Sequence, residues 1–213
     1  MKDMYLNDWA ADCKSGNFEK TVLYSPDERL FFLYGEIDAK NCAEIANDII
    51  KINFEDAEKE SKEINYKRKP IKIYFSSFGG SVYDMWLLVD TIEGSATPVY
   101  TYCTGYAMSA AFIIFLAGHK RYMSKHATLM YHQIYCWRSG KYQDLVEDRA
   151  QMDHLNSMIE KYVNEKTNLG IFDIDEIREK KRDMYFSADL AKKMKIIDEI
   201  IDYQKEKPKK NNH

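Results

Sequence analysis

Apolar positions along this chain fall into short dense runs separated by stretches of helical spacing. Arg29-Leu30-Phe31-Phe32-Leu33-Tyr34-Gly35 is one such run, and it predicts a buried strand that ends in a turn. Cys42, Ile45, Ala46, Ile49 and Ile50 then recur at helical intervals over 39–52. Residues 55–69 are rich in Glu and Lys. They read as a solvated helix end and loop closed by Pro70. Ile71-Lys72-Ile73-Tyr74-Phe75 predicts a second strand, Ser76-Ser77-Phe78-Gly79-Gly80-Ser81 a turn, and 82–93 a helix. A third strand is expected over 99–103 and a turn at Thr104-Gly105-Tyr106. A helix apolar all round, and therefore buried, begins near Met108.

Tyr122-Met123 and Thr128-Leu129-Met130-Tyr131 predict two further short strands. From Gly140 to Thr167 the chain is one long helical pattern with neither Gly nor Pro between those ends. Leu145, Met152, Leu155, Ile159 and Val163 supply its apolar stripe. Two short helices and a strand over 196–201 follow. Strands alternating with helical stretches predict an α/β fold with crossover connections, in a single domain over 29–204. Residues 1–28, punctuated by Gly16 and Pro26, are set apart as an N-terminal segment, an extended arm or a short helix. The basic, polar tail 205–213 is expected to be disordered.

The chain has 213 residues, 45% hydrophobic and 31% charged, as expected of a globular protein able to bury a core without staples. A net charge of -3 gives no reason to expect nucleic acid or an anionic membrane surface as partner. The longest apolar stretch, 108–118, is too short to span a bilayer. Cys13, Cys42, Cys103 and Cys136 contain no Cys-x-x-Cys pair, which removes support for a zinc or thioredoxin-type site. No secretory leader pattern occurs at Met1-Lys2-Asp3-Met4-Tyr5-Leu6, so the expectation is reduced, mostly packed thiols and a cytoplasmic location.

Two strand–turn–helix units carry candidate chemistry. At Gly79-Gly80, paired glycines permit positive φ and let a ligand approach the backbone; they would also suit a plain tight turn. In Gly105-Tyr106-Ala107-Met108-Ser109-Ala110-Ala111, a serine stands where a strand hands over to the buried helix. A serine at that place ordinarily caps the helix. Its small neighbours, however, leave room for a substrate backbone, and the helix start offers free N–H donors to a developing oxyanion. A hydroxyl nucleophile needs a base. His213 lies in the tail, His119 and His126 in a basic surface segment, and His154 among charged residues of the long helix. His132 instead ends an apolar run and emerges from the interior. Many carboxylates could orient that imidazole, and spacing does not choose among them. Asp183 draws notice because it precedes the apolar Met184-Tyr185-Phe186.

Taken in order, these segments resemble the Clp protease proteolytic subunit (ClpP) family of serine peptidases. Ser77-Phe78-Gly79-Gly80-Ser81-Val82 is similar to its Ser-Pro-Gly-Gly-Ser-Val turn, with Phe78 in place of the proline. Gly105-Tyr106-Ala107-Met108-Ser109 resembles the Gly-x-Ala-x-Ser nucleophile motif. Leu129-Met130-Tyr131-His132-Gln133 resembles the histidine segment, Arg182-Asp183-Met184-Tyr185-Phe186-Ser187-Ala188 the acid segment, and Ile196-Ile197-Asp198 the family's ending. The resemblance covers residues 29–202. It implies a ClpP/crotonase-like spiral of ββα units with a protruding handle helix, the handle spanning about 133–168. It implies Ser109, His132 and Asp183 as catalytic triad, with the N–H groups of Gly80 and Ala110 as oxyanion hole and no metal. It further implies endopeptidase action on unfolded polypeptides inside two stacked heptameric rings, a tetradecamer. No Gly-x-x-x-x-Gly-Lys-Ser/Thr occurs. This chain therefore needs no cofactor of its own, and ATP would be used by a partner AAA+ unfoldase of the ClpX or ClpA/ClpC type. Three other readings stand beside this one: a catalytically silent ring subunit, a phage prohead-type peptidase working without an ATPase, and a crotonase-type acyl-CoA enzyme.

Overall fold

The computed structural model describes residues 22–25, 29–170, 177 and 179–201. Burial alternates along the chain from Ile71 to Gly80, with every odd-numbered residue inside, so this stretch is one strand, β3 (Ile71–Gly80). The strand runs through Ser76-Ser77-Phe78-Gly79-Gly80, where a turn is expected from composition. The same holds for β4 (Val99–Met108), which continues through Gly105. In both cases the neighbouring strands keep pairing with the backbone, and a local register shift between Phe75 and Ser77 absorbs the glycine-rich sequence.

Around this pair the sheet adds β1 (Val22–Ser25), β2 (Leu30–Ile37), β5 (Lys120–Ser124), β6 (Thr128–Tyr131), β7 (Met184–Phe186) and β8 (Glu199–Ile201). The order is β1-β2-β3-β4-β5-β8, with β6 pairing β4 and β7 pairing β6. β2, β3, β4, β5 and β8 run parallel, as do β4 and β6, whereas β1 and β7 join antiparallel. The sheet forks at β4: residues 100–103 pair with β5, and residues 106–108 pair with β6. Val22–Ser25, inside the expected N-terminal segment, belongs to this sheet. The rest of 1–28 and the tail 205–213 lie outside the described residues.

The helices whose bounds lie among the described residues are α1 (Ala39–Lys62), α2 (Val82–Glu93), α3 (Ala110–Leu116), α4 (Tyr142–Lys166) and α5 (Ala188–Lys193). The inner sheet face, with Phe31, Leu33, Ile73, Phe75, Val99 and Cys103, forms one buried cluster with α1, α2 and α3. On the outer face aromatic rings stack across strands: Phe32 on Tyr74, Tyr74 on Tyr102, and Tyr102 on Tyr122. This parallel, crossover-connected sheet with helices is the expected α/β architecture.

Three expectations change. The helix end of α1 runs to Lys62, but it is not simply solvated. Its charged extension is anchored because Asp56, fully buried, accepts from Arg29, Tyr66 and Thr97. Ile50 leaves the buried stripe and is 48% exposed. α4 buries Leu155, Ile159, Tyr162 and Val163, but Leu145 is 40% exposed and nothing before Leu155 in the helix is buried. The first half of α4 is thus largely exposed. Finally, the last strand begins at Glu199, because Ile196 and Ile197 turn into the core ahead of it. Of the thiols, Cys42 and Cys103 are buried and Cys136 is exposed, all three free. Cys13 lies outside the described residues.

Candidate active site

β4 ends at Met108 and α3 starts at Ala110, which leaves Ser109 at the corner. Its backbone has φ 54° and ψ -124°. A residue with a Cβ seldom adopts positive φ, and holding it there costs about 1–3 kcal/mol. The corner is tied down from β6, because Ser109 N–H donates to Met130 O at 3.0 Å.

Ser109 occupies the N-cap position of α3, yet its side chain makes no cap hydrogen bond. Asp38, Ser81 and Ser187 do cap their helices, accepting from Asn41, Asp84 and Leu190 N–H respectively. The capping role that a serine here would ordinarily have is therefore not taken up. Instead Ser109 Oγ lies 2.8 Å from His132 Nε2.

His132 follows the last residue of β6, so pairing between β4 and β6 brings the two side chains together. Its side chain is 24% exposed. Burial pushes the imidazole below its ordinary value, and the Asp183 carboxylate pulls it back up without cancelling the shift. Asp183 precedes β7, and its Oδ1 is 3.6 Å from His132 Nδ1. That is within ion-pair reach but longer than a hydrogen bond. The Asp183 side chain is 41% exposed.

Gly79 closes the other side. A Cβ on Gly79 would stand 2.7 Å from Ser109 Cβ, 2.9 Å from Met108 O and 3.1 Å from Ala110 N. Its φ of 108° also excludes ordinary side chains. Sequence reasoning passed over Ser77. It is fully buried, donates through Oγ to Gly35 O at 2.5 Å, and accepts from Gly79 N–H at 3.1 Å. It thereby joins β2 to the glycine pair. The one available signal was a polar residue at an inward position of β3. Among the described residues, no three His, Cys, Asp or Glu side chains come together as metal ligands, and no helix is long and apolar enough to cross a membrane.

The arrangement sets the Ser109 hydroxyl beside a part-buried imidazole. Residues 19–204 match the family model for Clp protease. This chain belongs to the Clp protease family. It is similar to the ATP-dependent Clp protease proteolytic subunit 1 of Rhodopirellula baltica, 29% identical over 181 residues, covering 82% of this chain and 73% of that one. It is also similar to proteolytic subunit 1 of Prochlorococcus marinus subsp. pastoris, 28% identical over 187 residues (86% and 87%). Subunit 2 of Frankia casuarinae is 28% identical over 180 residues (84% and 77%). Membership of this family makes the chain a serine endopeptidase, a hydrolase of peptide bonds.

Proposed function

We propose that Ser109 is the nucleophile of this peptidase, His132 its general base and Asp183 the carboxylate that orients His132. The observation that carries this reading is the 2.8 Å contact between Ser109 Oγ and His132 Nε2, made by a serine that leaves its helix uncapped. With the imidazole neutral and its proton on Nδ1, facing Asp183, Nε2 accepts from the hydroxyl. Ser109 Oγ attacks the scissile carbonyl carbon while its proton passes to Nε2. The tetrahedral intermediate collapses, the C–N bond breaks, and Nε2 returns the proton to the departing amine. Water then repeats the cycle on the acyl-enzyme and frees Ser109.

The N–H groups of Gly80 and Ala110 serve as oxyanion donors in this reading. A Cβ on Gly79 would stand 2.7 Å from Ser109 Cβ and 3.1 Å from Ala110 N, so the glycine pair runs alongside the serine corner. Ala110 opens α3, where the first N–H groups have no partner within the helix. Each such donor is worth about 3 kcal/mol of transition-state stabilisation.

Unfolded polypeptide is the substrate we assign, cleaved within a tetradecamer of two heptameric rings in the cytoplasm. Since the chain has no phosphate-binding loop and its relatives are named as ATP-dependent, ATP would be spent by a separate AAA+ unfoldase, and this subunit needs no cofactor. Purified wild type should hydrolyse small fluorogenic peptides and react with a fluorophosphonate at one serine per chain, and Ser109→Ala should do neither. Activity surviving in Ser109→Ala would overturn the assignment. A wild type that assembles into rings but never labels would make it a silent ring subunit. Native mass measurement on the same samples reads the ring size.

A further inference from the structure

The three side chains of the proposed triad sit on three elements that backbone pairing joins only loosely. β4 pairs with β6 over three residues, and β6 with β7 over three more. Described pairing nowhere joins β4 directly to β7. Asp183 lies just outside β7 and depends on where that three-residue strand is held.

Aromatic side chains supply the missing connection. Phe112 lies three residues after Ser109, Tyr131 one before His132, and Phe186 three after Asp183. Phe112 stacks on Tyr131, with centroids 5.8 Å apart and planes at 29°. It also stacks on Phe186, at 5.9 Å and 8°. Phe112 and Phe186 are fully buried and Tyr131 is 2% exposed. One ring on the nucleophile's helix therefore touches both the histidine strand and the acid strand, on the core side of the sheet. Phe186 is also opposite Leu129 in the β6–β7 register, so it cannot move without shifting that pairing. Flat stacked rings resist sliding more than branched aliphatic side chains, because offset stacking has a preferred geometry.

We infer that the Phe112–Tyr131–Phe186 stack is the positioning element that holds Ser109, His132 and Asp183 within reach of one another. This inference rests on the triad reading above. These residues touch no substrate; they act through the three side chains they flank. Phe186 acts through Asp183 and Phe112 through Ser109.

The test compares Phe186→Leu with wild type, alone and combined with Asp183→Asn, in the assembled protein. Peptide hydrolysis and the rate of fluorophosphonate labelling are both measured. Phe186→Leu should lower kcat and the labelling rate at least tenfold, with KM within twofold of wild type. In the Asp183→Asn background the same substitution should add less than a twofold further loss, because its route to His132 is already gone. Phe186→Met, which keeps the volume but not the flat ring, should behave as Phe186→Leu does and serves in its place if that variant does not fold. Phe186→Tyr, which keeps the ring, should restore most of the rate. A loss of equal size in both backgrounds, or a thermal shift with kcat unchanged, overturns the positioning role and leaves the triad intact. Full activity in Ser109→Ala or His132→Ala, measured alongside, instead overturns the triad reading itself.

Discussion

The carboxylate of Asp56 is fully buried at the end of the sheet where β2, β3 and β4 begin. Arg29 grips it through both terminal nitrogens, at 2.7 and 2.5 Å. Tyr66 Oη donates at 2.6 Å and Thr97 Oγ1 at 2.7 Å. Asp56→Ala removes the acceptor of four hydrogen bonds and leaves the Arg29 guanidinium, 11% exposed, without its counter-charge. Removing one partner of a buried pair typically costs about 3–5 kcal/mol. For a chain of this size that corresponds to a fall in Tm of roughly 10 °C. The site is nine residues along β3, or about 30 Å at the usual strand rise, from Gly80, so catalysis should be spared.

Burial alone pushes the Asp56 carboxyl up, but the hydrogen bonds from Arg29, Tyr66 and Thr97 outweigh it and hold the group well below the usual carboxylate range. A lowered folded value gives stability that is fully present above the unfolded value, near 3.9, and is lost as pH falls through the folded one. The gap between wild type and Asp56→Ala should therefore be constant near pH 7 and narrow in strong acid. Denaturant unfolding at one fixed protein concentration measures it. A cost below about 1 kcal/mol, or a cost that does not change in acid, would refute the reasoning.

Three further outcomes concern the site. The acid limb of kcat/KM should lie below the ordinary imidazole value of about 6.5, because burial disfavours the His132 cation. Asp183→Asn, which removes the charge that pulls His132 back up, should slow turnover and move that limb to still lower pH. A limb that moves upward contradicts the assignment. Gly79→Ala should lose nearly all peptide hydrolysis while leaving the chain folded, because the new methyl enters the space of Ser109 Cβ. Wild-type kcat in that variant would show that the β3 end does not border the reacting atoms.

Much of the site was legible because its residues sit at the ends of apolar runs. His132 closes 128–131 and Ser109 opens a helix apolar all round, and those positions survive in the structure. The extended course of β3 and β4 was not legible. Ser-Ser-Phe-Gly-Gly has the composition of a turn, and only pairing with strands from elsewhere in the chain makes it straight. The anchored end of α1 was missed for a related reason. Glu- and Lys-rich sequence reads as solvated, and what buries Asp56 comes from residues 10, 27 and 41 positions away. The Leu145 end of α4 erred the other way: helical spacing shows that a face exists, not that anything within the same chain covers it.

The left-handed corner at Ser109 sets the interests of folding and of chemistry against each other. Glycine would adopt φ 54° without strain, so a sequence chosen for stability alone would carry glycine at this corner. The serine persists there only so long as something is gained from presenting a hydroxyl at an unfavourable angle. A lineage that lost its peptidase activity would be free to relax at this position first, well before its core or its sheet changed. In a member of this family, the residue found at the corner is then a record of whether the protein is still under selection to cut.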